Sequence, residues 1–194
     1  MTRWITAATV EGMQPRLIVV EPVVAVLDGA VAALSAPVWV PWPLPGGWSF
    51  GGLAHTAEDV AAPNGVSTAA SWLGADPFGE PAELLLVCEE AGSGVGAGFA
   101  GLDVSYPGPE VGVGPPHARF TVNGHDVPLW EVPAADDRGV YAGAAAGRWL
   151  WVVVHPAEAS PLVVAPLRLV DARLLGAELA TLPLGALSPR LMLA

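Results

Sequence analysis

The segment 38–52, Val38-Trp39-Val40-Pro41-Trp42-Pro43-Leu44-Pro45-Gly46-Gly47-Trp48-Ser49-Phe50-Gly51-Gly52, constrains this chain more than any other. It holds three of the eight Trp and three of the twenty Pro in fifteen residues. Proline at alternate positions fixes φ near −65° and keeps each preceding residue extended, so the spacing predicts a polyproline-like rod over 40–45 with indoles projecting from it. Indoles so placed are costly to leave in water. The rod must therefore either be covered by the rest of the chain or present its aromatic rings to something else.

What can cover it is set by the remaining composition. The 194 residues are 53% hydrophobic, enough for one domain with a sizeable core. Eight Arg, no Lys and nineteen acidic residues give a net charge of −11, which repels nucleic-acid phosphates and anionic membrane surfaces. A single cysteine, Cys88, excludes an intramolecular disulfide and a cysteine-built zinc site, and its apolar surroundings suggest an inert buried thiol. The N-terminal residues lack an uninterrupted apolar run after Arg3, and 17–34 carries Glu21, Pro22 and Asp28. The chain is therefore expected to be cytoplasmic, with no membrane insertion.

Residues 1–16 show no sustained period and suggest a leader or a marginal strand. After Pro22, the positions Val23, Val26, Leu27, Ala30, Val31 and Leu34 follow helical spacing and predict an amphipathic helix over 22–34. From Trp48 onward the period becomes two. Strands are expected at 48–55, 66–73, 83–89, 118–122, 127–132, 140–145 and 148–155. Asn123-Gly124 predicts a tight type I′ hairpin, and within 141–151 a Gly-containing turn leads into an aromatic strand in which Trp149 and Trp151 share a core-facing side. Residues 167–170 alternate, and Asp171 can cap a short helix reaching Leu179 that Gly176 weakens.

Chemical constellations are scarce. The glycine run 92–98 follows an apolar strand, but the prolines beyond Gly101 argue against a dinucleotide-binding helix, and a phosphate loop of the other common type needs a lysine the chain lacks; a hairpin connection is expected instead. His55, His117, His125 and His155 have no metal-ligand spacing. Glu89-Glu90 are adjacent on a strand and point to opposite faces, Asp136-Asp137-Arg138-Gly139 resembles a turn, and no serine sits in a nucleophile elbow. No catalytic residue, metal site or cofactor is assigned.

Five residues remain as candidates for binding a partner or a ligand: Trp39, Trp42, Trp48, His117 and Trp130. The favoured reading of the three rod indoles is a structural clamp across one edge of a sheet, because burying Trp contributes several kcal/mol to a small β-rich core. The competing reading is a surface that receives a peptide, an acyl chain or a second subunit.

The run 39–48 resembles the hallmark of an uncharacterised actinobacterial family of unknown function. Further pieces agree in order from Pro37 to Leu191: Glu83-Leu84-Leu85-Leu86-Val87 with Glu89-Glu90, Pro115-Pro116-His117, Leu129-Trp130-Glu131-Val132, Tyr141-Ala142-Gly143 before Trp149-Leu150-Trp151, and Leu187-Ser188-Pro189-Arg190-Leu191. Many members carry a Cys-rich, ribbon-like zinc module ahead of this region; this chain lacks those cysteines, so the resemblance implies neither a metal nor a catalytic residue here.

The expectation is an α+β fold: a curved antiparallel meander of six or seven strands with an N-terminal amphipathic helix and a short C-terminal helix. Residues 1–36 form an extension and 37–194 a single domain. The expected function is a non-enzymatic interaction or accessory protein binding a protein partner or itself. The alternative is a small-molecule binding protein or enzyme with a pocket bounded by the Trp-Pro segment, the glycine loop 92–98 and His117.

Overall fold

A computed structural model describes residues 17–56, 67–164 and 167–192. The expectation for residues 1–16 lies outside them. Among the described residues ten strands form one sheet: β1 (Leu17–Val20), β2 (Trp39–Pro41), β3 (Ser49–Thr56), β4 (Thr68–Ala75), β5 (Pro81–Glu89), β6 (Ala118–Val122), β7 (His125–Glu131), β8 (Gly139–Ala145), β9 (Arg148–His155) and β10 (Arg168–Asp171). Their order across the sheet is β1-β3-β4-β5-β9-β8-β7-β6-β10-β2, and the sheet does not close. The protein is mostly β, with a few short helices.

All seven expected strands form, but the connectivity departs from a simple meander. The chain leaves the sheet after β5, crosses a helix and a Pro/Gly-rich loop, and re-enters at β6, so that β6 to β9 run back until β9 lies beside β5. β10 then pairs in parallel with β6, while the other named strands of the described residues pair antiparallel, which makes the sheet mixed. The hairpin signals act locally as expected: Asn123 and Gly124 have φ of 47° and 83°, and Ala146 and Gly147 have φ of 52° and 76°, the paired positive values of a type I′ turn.

Strand alternation sends side chains to two faces, each with its own core. Leu84, Leu86 and Cys88 of β5 and Leu150, Val152 and Val154 of β9 face the first, together with Trp39, Trp72, Phe50 and Phe120. Leu85 and Val87, with Trp151 and Val153, face the second. The far end of the sheet folds over the first face, where Trp72 Nε1 donates to Trp39 O at 3.3 Å and Thr68 Oγ1 to Pro37 O at 2.5 Å.

The segment 38–52 is not a straight rod. Its first part is β2, paired antiparallel with β10, and residues 42–47 bend, with a cis peptide at Trp42–Pro43. Strand pairing wins because Val38 O and the Trp42 amide both find partners there, Ala172 N and Arg168 O, each at 2.8 Å. Pro41 is tolerated because β2 is an edge strand. Trp48 then lies flat on β4 at Gly74, where a Cβ would stand 2.3 Å from the indole Cδ2.

Helix α1 (Val24–Ala33) falls inside its expected span and buries Leu27 and Val31, while Val23 and Val26 stay 46% and 50% exposed, so the buried stripe is narrower than the apolar one. The expected C-terminal helix does not form as one α-helix. Asp171 does accept from the Arg173 amide at 3.1 Å, but the chain makes two 3-10 turns, Ala172–Leu174 and Gly176–Thr181, separated where Gly176 takes a φ of 53°. Among the described residues no helix is long and apolar enough to cross a membrane.

Candidate functional site

On the second face β5 presents Glu83, Leu85, Val87 and Glu89 in a row, and the β9 residues opposite them are His155, Val153, Trp151 and Trp149. A carboxyl group therefore marks each end of the row, and each is covered differently.

At the Glu89 end the cover is the glycine segment. It is a turn that opens into a one-and-a-half-turn helix, α2 (Val95–Ala100), where a hairpin connection was expected. Glu89 is fully buried and its carboxyl accepts three hydrogen bonds: from Trp151 Nε1 at 2.6 Å, Ser93 Oγ at 2.6 Å and the Gly96 amide at 2.9 Å. Ser67 Oγ extends the chain by donating to Ser93 Oγ at 3.1 Å. The start of α2 thus points its amide at the protein's own carboxyl group, in the place where a phosphate-binding loop would hold its ligand. Gly96 is needed for this approach, since a Cβ there would meet Trp151 Cδ1 at 2.2 Å.

At the Glu83 end the cover is the C-terminal segment. Phe50 N donates to Pro183 O, Gly185 N to Phe50 O and Ser188 N to Gly51 O at 2.8–2.9 Å, which lays residues 183–188 along the bulged start of β3. Glu83 then receives Ser71 Oγ at 2.7 Å, Ser188 Oγ at 2.5 Å and Arg190 Nε at 3.1 Å. Leu187 and Leu191 complete this cover.

Between the two covers a narrow gap remains, with Leu85 and His155 of the sheet almost fully buried beneath it. The gap is a cavity of about 250 Å³ lined by Leu85, Gly98, Phe99, Gly101, Arg138, His155 and Arg190. Arg138 enters from the turn before β8, held by Asp137 through Nε at 2.7 Å and Nη2 at 2.9 Å, with Nη1 donating to Phe99 O at 2.8 Å. This bidentate bond holds the exposed Asp137 carboxyl below the usual range. His155, only 3% exposed, is pulled down from 6.5 to about 4 by burial first and by the Arg190 and Arg138 charges next. Its imidazole is neutral near pH 7.

That depression ties stability to pH. Between pH 6.5 and about 4 an unfolded chain takes up a proton that the native His155 refuses, so the native state is favoured above this window and loses ground as pH falls through it, by up to about 1.4 kcal/mol per pH unit. Urea unfolding at pH 7.5, 5.5 and 4.5 should show a steeper loss for the natural chain than for His155→Gln. Parallel losses would assign the effect to other groups.

The five residues singled out by sequence do not converge on this cavity. Trp39 and Trp48 are buried at 0% and 7% exposure, and Trp42 is half-buried against the same core. His117 is exposed, its Nδ1 accepting from the Glu131 amide at 3.0 Å, and Trp130 is half-buried with Nε1 donating to Gly114 O at 3.3 Å. These two neighbour one another at the β6–β7 end. Of the glycine segment only Gly98 lines the cavity, and Glu90 turns outward to Arg148 at 3.0 Å. Sequence reasoning passed over Arg138, Arg190 and His155. The usable signal was the scarcity of cations: in a chain of net charge −11 with eight Arg and no Lys, two guanidinium groups at one cavity stand out.

Buried Cys88 has its thiol pushed up to about 12, chiefly by burial, which fits an inert side chain. Among the described residues no group of three or more His, Cys, Asp or Glu is placed to hold a metal ion.

The fold and the cavity together define a mixed-sheet protein with an arginine-flanked gap on its second face. Over residues 3–191 the sequence matches the model of a family of unknown function (DUF6758), and the chain belongs to that family. A comparison with curated proteins found no significant match, and neither did one with solved structures.

Proposed function

We propose that this protein is a binding module for a small anionic molecule, held in the cavity between α2 and the C-terminal segment, and that it does not transform its ligand. The observation that carries the reading is the meeting of Arg138 and Arg190 at one cavity, delivered by separate parts of the chain and each fixed by a carboxyl partner. Guanidinium groups held in place by packing bind carboxylate or phosphate oxygens with little loss of side-chain entropy.

The non-catalytic part of the reading is supported by the lining. It contains no hydroxyl or thiol nucleophile, and its one acid-base group, His155, is a weak base in this setting. Of the two functions the sequence left open, small-molecule binding is favoured here over a rod-mediated partner surface, because Trp39 and Trp48 have little surface to offer.

The test is titration of the full chain with acetate, benzoate, phosphate and sulfate, followed through the His155 imidazole resonances. At least one anion should bind, and Arg190→Met should weaken it by roughly 10-fold to 100-fold, the worth of a charge-assisted hydrogen bond or two. Because Arg190 also covers Glu83, Arg138→Met is measured beside it, with thermal melting of both. Absence of binding by every anion, or binding indifferent to both substitutions in folded protein, would overturn the proposal.

A further inference from the structure

We infer that the ligand is a carboxylate with a compact apolar body, and that the cavity discriminates against phosphate and other multiply charged anions. The inference rests on the anion-binding reading above and narrows it. Three observations carry it.

The first is charge. Each guanidinium at the cavity already has a protein carboxyl partner: Asp137 lies against Arg138 and Glu83 against Arg190. With His155 neutral, the groups around the gap sum to about zero, inside a chain of net charge −11. A single added charge is met by the guanidinium edges that have no partner among the described residues. A second charge has no cation left to offset it and is repelled by the Glu83 and Asp137 carboxyl groups, the first of them largely shielded from solvent.

The second is donor geometry. Among the described residues Arg190 is hydrogen-bonded through Nε alone, to Glu83, so its terminal Nη1/Nη2 edge has no partner among them. That edge is planar and two-pronged, and it matches the two oxygens of one carboxylate. Arg138 has both Nε and Nη2 engaged on Asp137 and Nη1 on the Phe99 carbonyl, so it contributes charge and a remaining N–H more than a second fork. One fork and one supporting cation suit a carboxylate better than the tetrahedral set of oxygens on phosphate.

The third is the rest of the lining. Leu85, on the sheet, and Phe99, on α2, are the apolar side chains of the lining, 1% and 4% exposed, and Gly98 and Gly101 add none, so the space next to the arginines has few groups to replace the water around a phosphate. About 250 Å³ exceeds the 150 Å³ known to enclose benzene and so admits one ring or a short branched chain bearing the acid.

Calorimetric titration of the full chain at pH 7.5 and constant ionic strength, with benzoate, acetate and inorganic phosphate as probes, separates the outcomes. The expected order is benzoate tightest, acetate weaker by about tenfold for loss of the apolar body, and phosphate weaker than benzoate by tenfold or more. Leu85→Ala and Phe99→Ala, each checked for folding by thermal melting, should lower benzoate binding while leaving acetate little changed, a split that a merely structural role for these side chains would not produce. If phosphate binds as tightly as benzoate, with both sensitive to Arg190→Met, the anion-binding reading stands and the carboxylate inference falls. If no probe binds folded protein, both fall.

Discussion

Glu89→Ala should destabilise the protein by at least about 2 kcal/mol, because it strands two buried donors and a half-buried third at once. Trp151 Nε1, Ser93 Oγ and the Gly96 amide all end on that carboxyl group, and each unsatisfied buried group costs roughly 1–3 kcal/mol. Water entering the vacated space relieves some of this, which is why the lower bound is the useful figure. Glu89→Gln keeps the shape but turns an amide NH₂ toward at least one donor, so an intermediate loss of about 1–3 kcal/mol is expected. Urea unfolding followed by tryptophan fluorescence measures both. Losses within about 0.5 kcal/mol of the natural chain would mean that the network is not what fixes α2 on the sheet. The effect should reach the cavity too, since α2 carries Gly98, Phe99 and Gly101 along its edge.

The second large effect is expected at Trp39. Its side chain is fully buried between β2 and the face of β4 and β5, and truncating it to alanine should cost roughly 3–5 kcal/mol through lost contacts and the cavity left behind. Among the described residues its Nε1 makes no hydrogen bond of ordinary geometry, and it sits beside the Cys88 thiol, a weak acceptor. Trp39→Phe removes that N–H together with part of the ring, so its cost should be well under that of the alanine variant. Trp42→Ala, at a half-buried position, should cost about 1 kcal/mol. Guanidinium unfolding of the three variants gives the order directly. Equal losses at 39 and 42 would show that β2 is not gripped by its first indole, and a binding role for the segment would regain ground.

Much of the fold was legible in the sequence because hairpins are local. The alternation in 118–155 and the turn residues at 123–124 and 146–147 fix register over a handful of residues, so all four strands from β6 to β9 could be placed to within a residue or two. Helix α1 was legible for the same reason. The short strands were not. β1 and β2 are four and three residues long, and β10 pairs in parallel with β6 across a long crossover, so their hydrogen bonds depend on partners far away in the chain. The Trp-Pro segment was expected to be a rod on φ preferences alone, and strand pairing with β10 overrode them.

The glycine segment shows the same boundary. By composition it resembled a connection, and only the buried Glu89 facing it, seven residues before Gly96 in sequence, makes it a helix start with an internal carboxyl acceptor. The cavity was illegible altogether. Arg138 looked like a turn residue, Arg190 like part of an irregular tail, and His155 like an isolated histidine at a strand end.

By itself the sequence determined the family, the sheet-rich class, the two tight hairpins and the shortage of cations that makes any paired arginines notable. Each follows from residue identity or spacing within a dozen positions. Tertiary structure alone decided that β9 returns to β5, that Glu83 and Glu89 mark opposite ends of one covered row, and that the two covers stop short of each other over Leu85 and His155. The physical reason is that a gap belongs to no segment: it is what remains when two elements, each positioned by its own buried carboxyl group, fail to meet.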